Sequence, residues 1–97
     1  MPTYITLMSY TQEGIEHIKD GPARLDAAKA AAKAGGGEIK AFYLVMGRYD
    51  AVIISEAPSD EAFAATTLAI AATGAIRTET LKAFPEAEYR KIIASLP

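Results

Sequence analysis

The order of strand-like and helix-like segments, with glycine or proline at most junctions, constrains this chain most strongly. Residues 3–10 are rich in β-branched and aromatic residues and predict a strand. Residues 22–34 are rich in alanine, begin with proline and end at three glycines, which predicts a helix. The apolar runs 38–46 and 49–56 are separated only by Gly47 and Arg48, so they predict a β-hairpin.

The second half of the chain repeats this alternation. Residues 62–73 are almost uncharged and follow Ser59, a good N-cap, so they predict a helix that is buried on more than one side. Residues 75–84 alternate as an exposed strand does, and residues 86–96 predict a short final helix. The order β-α-β-β-α-β with a C-terminal helix predicts an α+β, ferredoxin-like fold, in which two helices cover one face of a four-stranded antiparallel sheet.

Length and composition limit the function classes. Ninety-seven residues form one domain, residues 1–97, and 51% apolar with 23% charged residues is typical of a folded globular chain. A net charge of −2 disfavours nucleic-acid binding, and no apolar stretch is long enough for a membrane span. The absence of cysteine excludes disulfides and thiolate chemistry. The amino terminus has no basic segment of the kind that secretion signals carry, so we expect a cytoplasmic protein.

The predicted strands are apolar on both faces. In the first strand Ile5 and Leu7 point to one face of the sheet and Met8 points to the other. In the third strand Val52 and Ile53 likewise point to different faces. An uncovered sheet face this apolar is unusual in a soluble monomer, so we predict a homodimer or higher homo-oligomer. Two such sheets facing each other would enclose a barrel interior able to hold a small ligand. The alternative is that the C-terminal helix folds back over the face.

At residues 46–50, MGRYD, the sequence resembles the GYD domain family, with Gly47, Tyr49 and Asp50 in the signature positions and Arg48 at the variable one. The segments GIEHIKDGPARLDAAKA, IKAFYLVMGRYDAVIISEAPSDEA and IRTETLKAFPEAEYRKIIASLP extend the resemblance over nearly the whole chain. It implies a small bacterial or archaeal protein of the dimeric α+β barrel type. No activity is established for the family, so the resemblance implies no reaction. His17 stands where asparagine is the commoner family residue.

Tyrosines are the most distinctive candidate ligand-binding residues. Four of the five lie in or beside the first three predicted strands, where they could give a cavity apolar walls and hydroxyl groups. Interface packing explains the same enrichment equally well. The four are Tyr4, Tyr10, Tyr43 and Tyr49.

Three charged residues complete the ligand-binding candidates. Asp50 could position a ligand or act as a general base, although we favour acceptance of backbone N–H groups at the turn. Arg48 and Arg77 could bind an anion, although an ion pair between strands or subunits is the simpler explanation for Arg77.

His17 is the only histidine, and with no cysteine the chain cannot build a nitrogen or thiolate metal site within one subunit. A symmetric oligomer could bring copies of His17 together, or His17 could be an axial ligand of haem, but we expect a solvated or capping histidine and predict no metal and no cofactor. Asp50, His17 and Tyr10 remain the candidate catalytic residues.

The leading hypothesis is a small oligomeric module that binds an organic ligand between subunit sheets, with no nucleic-acid or membrane partner. The first alternative is a cofactor-free oxygenase- or isomerase-like enzyme with an Asp or His base and a tyrosine proton donor, which rests on fold analogy. The second is a structural or interaction module.

Overall fold

The computed structural model describes all residues, Met1–Pro97, as one four-stranded antiparallel sheet with helices. A 3-10 turn at Ile18–Asp20 leads into the second helix. In chain order the elements are β1 (Thr3–Tyr10), α1 (Gln12–Glu16), α2 (Gly21–Ala34), β2 (Glu38–Leu44), β3 (Ala51–Glu56), α3 (Asp60–Ala71), β4 (Ile76–Ala83) and α4 (Glu86–Ala94).

The strands lie in the order β2-β3-β1-β4, so β1 and β3 are central while β2 and β4 form the edges. In the β1–β3 pair Thr6 lies opposite Ile53, and in the β1–β4 pair Thr6 lies opposite Thr80. This arrangement confirms the predicted ferredoxin-like fold. Because side chains alternate along a strand, the residues of β1 divide between the helix-covered face and an uncovered face.

The long helices begin and end at residues that the sequence marks. The hydroxyl of Ser59 accepts a hydrogen bond from the amide of Ala62 at 3.1 Å and caps α3. The helix α2 ends at the glycine triplet, where Gly36 has a φ of +84° that side-chain-bearing residues rarely adopt. These signals fix the start of α3 and the end of α2.

A β-bulge in β2 corrects the predicted division of its side chains. The register with β3 shifts between Ile39 and Ala41, so Ile39 pairs with Ser55 while Ala41 pairs with Ile54. The extra residue turns Ile39 toward the helices, whereas simple alternation predicted it on the same face as Ala41.

The connection between β2 and β3 is longer than the predicted two-residue turn. The strands end at Leu44 and resume at Ala51. The carbonyl of Asp50 still accepts a hydrogen bond from the amide of Val45 at 2.9 Å, and Asp50 also bonds to β1. Its amide donates to the carbonyl of Met8 at 2.8 Å. Gly47 lies in this connection with a φ of +150°.

The structure differs from two further expectations about the helices. No residue of α3 is fully buried, and Leu68 is 70% exposed, so the prediction that this helix is buried on more than one side is wrong for the single chain. Every residue from 84 to 97 is exposed, so α4 does not cover the free sheet face.

Candidate functional site

The uncovered side of the sheet, called the open face below, carries two rows of side chains that the strand register aligns. The first row is apolar and crosses the sheet at Ile54, Ile5 and Leu81. The second row includes Val52, Leu7 and Glu79 and becomes polar at its β4 end. The open face consists of Thr3, Ile5, Leu7, Ser9, Glu38, Ala41, Tyr43, Val52, Ile54, Glu56, Arg77, Glu79, Leu81 and Ala83.

On β1 the side chains of the open face are more accessible than their neighbours beneath the helices. Tyr43 is 59% exposed and Leu81 48% exposed, and Ile5 is half-buried. On the other face Tyr4 and Met8 are only 4% and 5% exposed. The chain therefore presents an apolar sheet surface that none of its own helices covers.

Tyr49 reaches the polar end of this face from the β2–β3 connection. Its hydroxyl donates to Oε2 of Glu79 on β4 at 2.7 Å. This hydrogen bond is the main reason that the pKa of Tyr49 is raised above its usual value. Glu79 is therefore engaged by Tyr49, and Arg77 makes no ion pair with it within the chain.

Asp50 supports the end of the central strand. Its Oδ2 accepts a hydrogen bond from the backbone amide of Tyr10 at 2.9 Å, while its own amide bonds to Met8. The carboxylate thus ties the connection to β1. Arg48 lies beside it in the same connection and is exposed.

Tyr4 lies on the helix-covered face, away from Tyr43 and Tyr49. Its hydroxyl donates to Oδ1 of Asp60 at 2.5 Å, and its ring stacks on Phe63 with centroids 4.1 Å apart. Burial first, and the bond to Asp60 second, raise the pKa of Tyr4 to about 12. Lys82 completes the cluster at 3.2 Å from Asp60, whose pKa is lowered by the Tyr4 hydroxyl and by Lys82.

His17 is exposed at the end of α1, and its backbone carbonyl accepts a hydrogen bond from Arg24 at 3.1 Å. No group of three or more His, Asp or Glu side chains gathers in a metal-binding arrangement. The structure therefore divides the candidate residues. Tyr49 and Arg77 lie at the β4 edge of the open face and Tyr43 at its β2 edge, while Tyr4 and Tyr10 lie beneath the helices and His17 lies apart.

A cavity of about 610 Å³ lies between the other face of the sheet and the helices α2 and α3, partly open to solvent. Of its 31 lining residues, 19 are hydrophobic. This cavity was not predicted from the sequence, although the alanine-rich stretch AAKAAAKA in α2 points to it, since small side chains leave room between a helix and a sheet.

Comparison with known proteins agrees with this fold. The model of the GYD domain matches residues 4–93. The chain belongs to the GYD domain family. This confirms the resemblance that the sequence carries around Gly47, Tyr49 and Asp50.

A relative from Thermus thermophilus, named glutamine synthetase and cystathionine beta-lyase binding protein, is 34% identical over 89 residues, which are 91% of this chain and 94% of that protein. Among solved structures, a feast or famine regulatory protein from M. tuberculosis complexed with L-methionine matches with a TM-score of 0.67 and 19% identity. The match covers 87% of this chain and half of the regulator, and shows the shared fold.

In this GYD domain the signature residues hold the β2–β3 connection against the sheet by hydrogen bonds. Tyr49 bonds to β4 and Asp50 bonds to β1, so the two side chains span three strands. The longest helix has 14 residues, and none combines the length and hydropathy that crossing a bilayer requires.

Proposed function

We propose that this GYD domain is a small homo-oligomeric binding module that pairs through its open face and holds a small organic ligand between the paired sheets. The observation that carries the proposal is the open face itself, an apolar sheet surface with a polar group of side chains at one end. Burial of apolar area is the main favourable term in most protein association.

The apolar row supports pairing between copies. Ile5, Ile54 and Leu81 lie side by side on three adjacent strands, and α4 leaves them uncovered. A second copy offers a matching surface because a two-fold axis brings the same patch of each subunit together. Burying them between two copies would remove from water a patch that monomeric proteins seldom expose.

The polar end supports ligand recognition. Arg77 lies on the same strand as Glu79 and presents a guanidinium that makes no ion pair within the chain, whereas Tyr43 presents its hydroxyl from β2, at the opposite edge of the open face. A guanidinium binds carboxylates in a two-pronged geometry, and a tyrosine ring packs against an apolar body. The site therefore favours a small organic molecule that carries an acidic group.

The pairing is tested with Leu81→Glu, which places a charge in the apolar row at the edge strand. Leu68→Glu is the matched control, because Leu68 is 70% exposed on α3 and lies outside the open face. Multi-angle light scattering should give at least twice the chain mass of 10.3 kDa for the parent chain and the control, and a smaller mass for Leu81→Glu. A parent monomer, or an unchanged mass for a folded Leu81→Glu, would contradict the pairing.

The ligand is tested by native mass spectrometry on gently purified protein. A ligand between paired sheets should appear as an added mass with one copy per two subunits, and Arg77→Leu should lose it while keeping the oligomer. Lys91→Leu on α4 is the control for removing a positive charge elsewhere. An oligomer without added mass would contradict the proposed ligand and leave the proposed pairing supported.

A second candidate function is recognition of metabolic enzymes. It is favoured by the relative named as binding glutamine synthetase and cystathionine beta-lyase, which this chain matches over 94% of that protein's length. Surface plasmon resonance with these two enzymes, taken from the organism that encodes the chain, tests it. Saturable binding to either enzyme, absent for an unrelated dehydrogenase, is expected; no binding to both would reject this function.

A further inference from the structure

We propose that the cavity between the sheet and the helices is a second binding site, for a neutral and mostly apolar small molecule with one or two hydroxyl or carbonyl groups. The site lies on the opposite face of the sheet from the open face. It therefore does not rest on the proposed pairing. The inference follows from the walls of the cavity, its unpaired hydroxyl groups and its charges.

Small side chains make the space between the layers. Where α2 faces the sheet it contributes Ala28 and Ala31, and α3 contributes Ala62 and Ala69. Larger side chains at these positions would reach the sheet and fill the gap. The resulting volume, about 610 Å³, lies within the range of roughly 300–1,000 Å³ typical of small-molecule sites.

Two hydroxyl groups on the floor of the cavity supply hydrogen bonds. Thr6 and Ser55 lie on the helix-covered face of the two central strands and are only 6% and 7% exposed. Both residues line the cavity, and no side-chain oxygen cut off from solvent lacks a hydrogen-bond partner. Since neither hydroxyl bonds to another group of the chain, both open into the cavity, where a ligand hydroxyl or carbonyl can reach them.

The charges around the cavity are already engaged. Arg24 and Glu56 are the only charged residues that line it. Arg24 donates to the backbone carbonyls of His17 and Gly14 at 3.1 and 3.4 Å, and Glu56 lies 3.9 Å from Lys40. A charged ligand would lose its hydration without gaining a free counter-charge, which favours a neutral one.

Naphthalene and 1-naphthol are suitable probes, because they share an apolar body and differ by one hydroxyl group. Isothermal titration calorimetry should show that both bind, with 1-naphthol the tighter. The substitution Ala31→Leu should weaken both by at least about tenfold, because it fills the cavity. Ala30→Leu is the matched control, since Ala30 neighbours it on α2 and does not line the cavity, and it should bind as the parent does.

The polar contribution is tested with Thr6→Val, which keeps the shape of the side chain and removes its hydroxyl. We expect the preference for 1-naphthol over naphthalene to fall by about fivefold, with naphthalene affinity retained. An unchanged preference in both Thr6→Val and Ser55→Ala would overturn the role of the hydroxyls. If the anion 1-naphthoate bound as tightly as 1-naphthol, the proposal that the ligand is neutral would be overturned.

The same variants separate this site from the proposed function. Equal weakening by Ala31→Leu and Ala30→Leu, or no binding of either probe to the parent chain, would reject the cavity as a site. The mass from light scattering is expected to be the same for these α2 variants, because they lie away from the open face. If Leu81→Glu lost both its oligomeric state and probe binding, the probe would bind at the interface between the sheets. That result would also reject the inference.

Discussion

Tyr4 connects three elements through one side chain. It lies on β1, its hydroxyl bonds to Asp60 at the start of α3, and Asp60 also pairs with Lys82 on β4. The stack on Phe63 adds a second contact to α3. A buried hydroxyl that is paired with a carboxylate fixes the position of the helix on the sheet, so Tyr4 has a structural role that its strand position alone did not reveal.

We expect Tyr4→Phe to lower the free energy of unfolding by about 1 kcal/mol, because it removes the hydrogen bond and keeps the stacked ring. Urea unfolding at pH 7 measures this loss. Tyr89→Phe is the control, since Tyr89 is 58% exposed on α4, and it should leave the stability unchanged. A Tyr4→Phe variant as stable as the parent would remove the hydrogen bond from the forces that hold α3.

The same pair predicts a dependence on pH. The pKa of Tyr4 is raised in the folded chain to about 12, so its contribution is complete below pH 10 and is lost as the pH rises toward 12. The pKa of Asp60 is lowered, so its contribution is present above its ordinary pKa of 3.8 and is lost as the pH falls below it. The stability difference between the parent and Tyr4→Phe should therefore shrink at both extremes. A constant difference from pH 3 to pH 12 would contradict this assignment.

Local signals made part of the candidate site predictable. The MGRYD motif drew attention to Tyr49 and Asp50, and both form contacts that span the sheet. Their partners could not be predicted, because Glu79 is 30 residues from Tyr49 and is brought near only by the strand order. The separation of Tyr4 from Tyr43 likewise depends on which face the helices cover.

At the scale of elements, the close packing of α1 depends on one glycine. A Cβ built on Gly14 would lie 2.1 Å from the backbone oxygen of Ala75, so the helix can approach β4 only without a side chain there. Gly21, at the start of α2, has helical angles, and its nearest neighbour would be the Tyr10 hydroxyl at 3.9 Å. The two glycines therefore have different reasons to be present.

We expect Gly14→Ala to destabilise the chain by about 3 kcal/mol or more, because backbone must move to relieve the overlap. Gly21→Ala is the matched control and should change the stability by no more than roughly 1 kcal/mol, because the added methyl group has room and the gain from restricting the unfolded chain is offset by crowding against Pro22. Thermal unfolding followed by circular dichroism measures both. Equal melting temperatures for the two variants would show that α1 can move away from β4 at little cost.

The strands and helices were predictable because each begins and ends at a strong local signal, such as the Ser59 cap or the glycine triplet. The bulge beside Ile39 and the long β2–β3 connection were not, because both depend on pairing with residues of other strands. A bulge changes the face of a side chain without changing the hydrophobic pattern that predicted the strand.

At the scale of the whole molecule, α4 has no place to pack within the chain. All its residues are exposed, including Tyr89, Ile92 and Ile93, and the chain extends over 52 Å in its longest direction. Isolated helices of nine residues are marginal in water. We infer that a second copy, brought close by pairing of the open faces, covers the apolar side of α4.

We therefore predict that the protection of α4 from hydrogen exchange depends on protein concentration. At concentrations where the oligomer dissociates, amides of residues 86–94 should exchange almost as fast as in an unfolded peptide, and above that range they should be protected. The amides of α3 are the internal control, because α3 packs against α2 in the same chain and its protection should change less. Peptide-resolved mass spectrometry over a dilution series gives both. Protection of α4 that is equal at all concentrations while the oligomer dissociates would show that the helix is stable without a second copy, and the assembly would then depend on the open face alone.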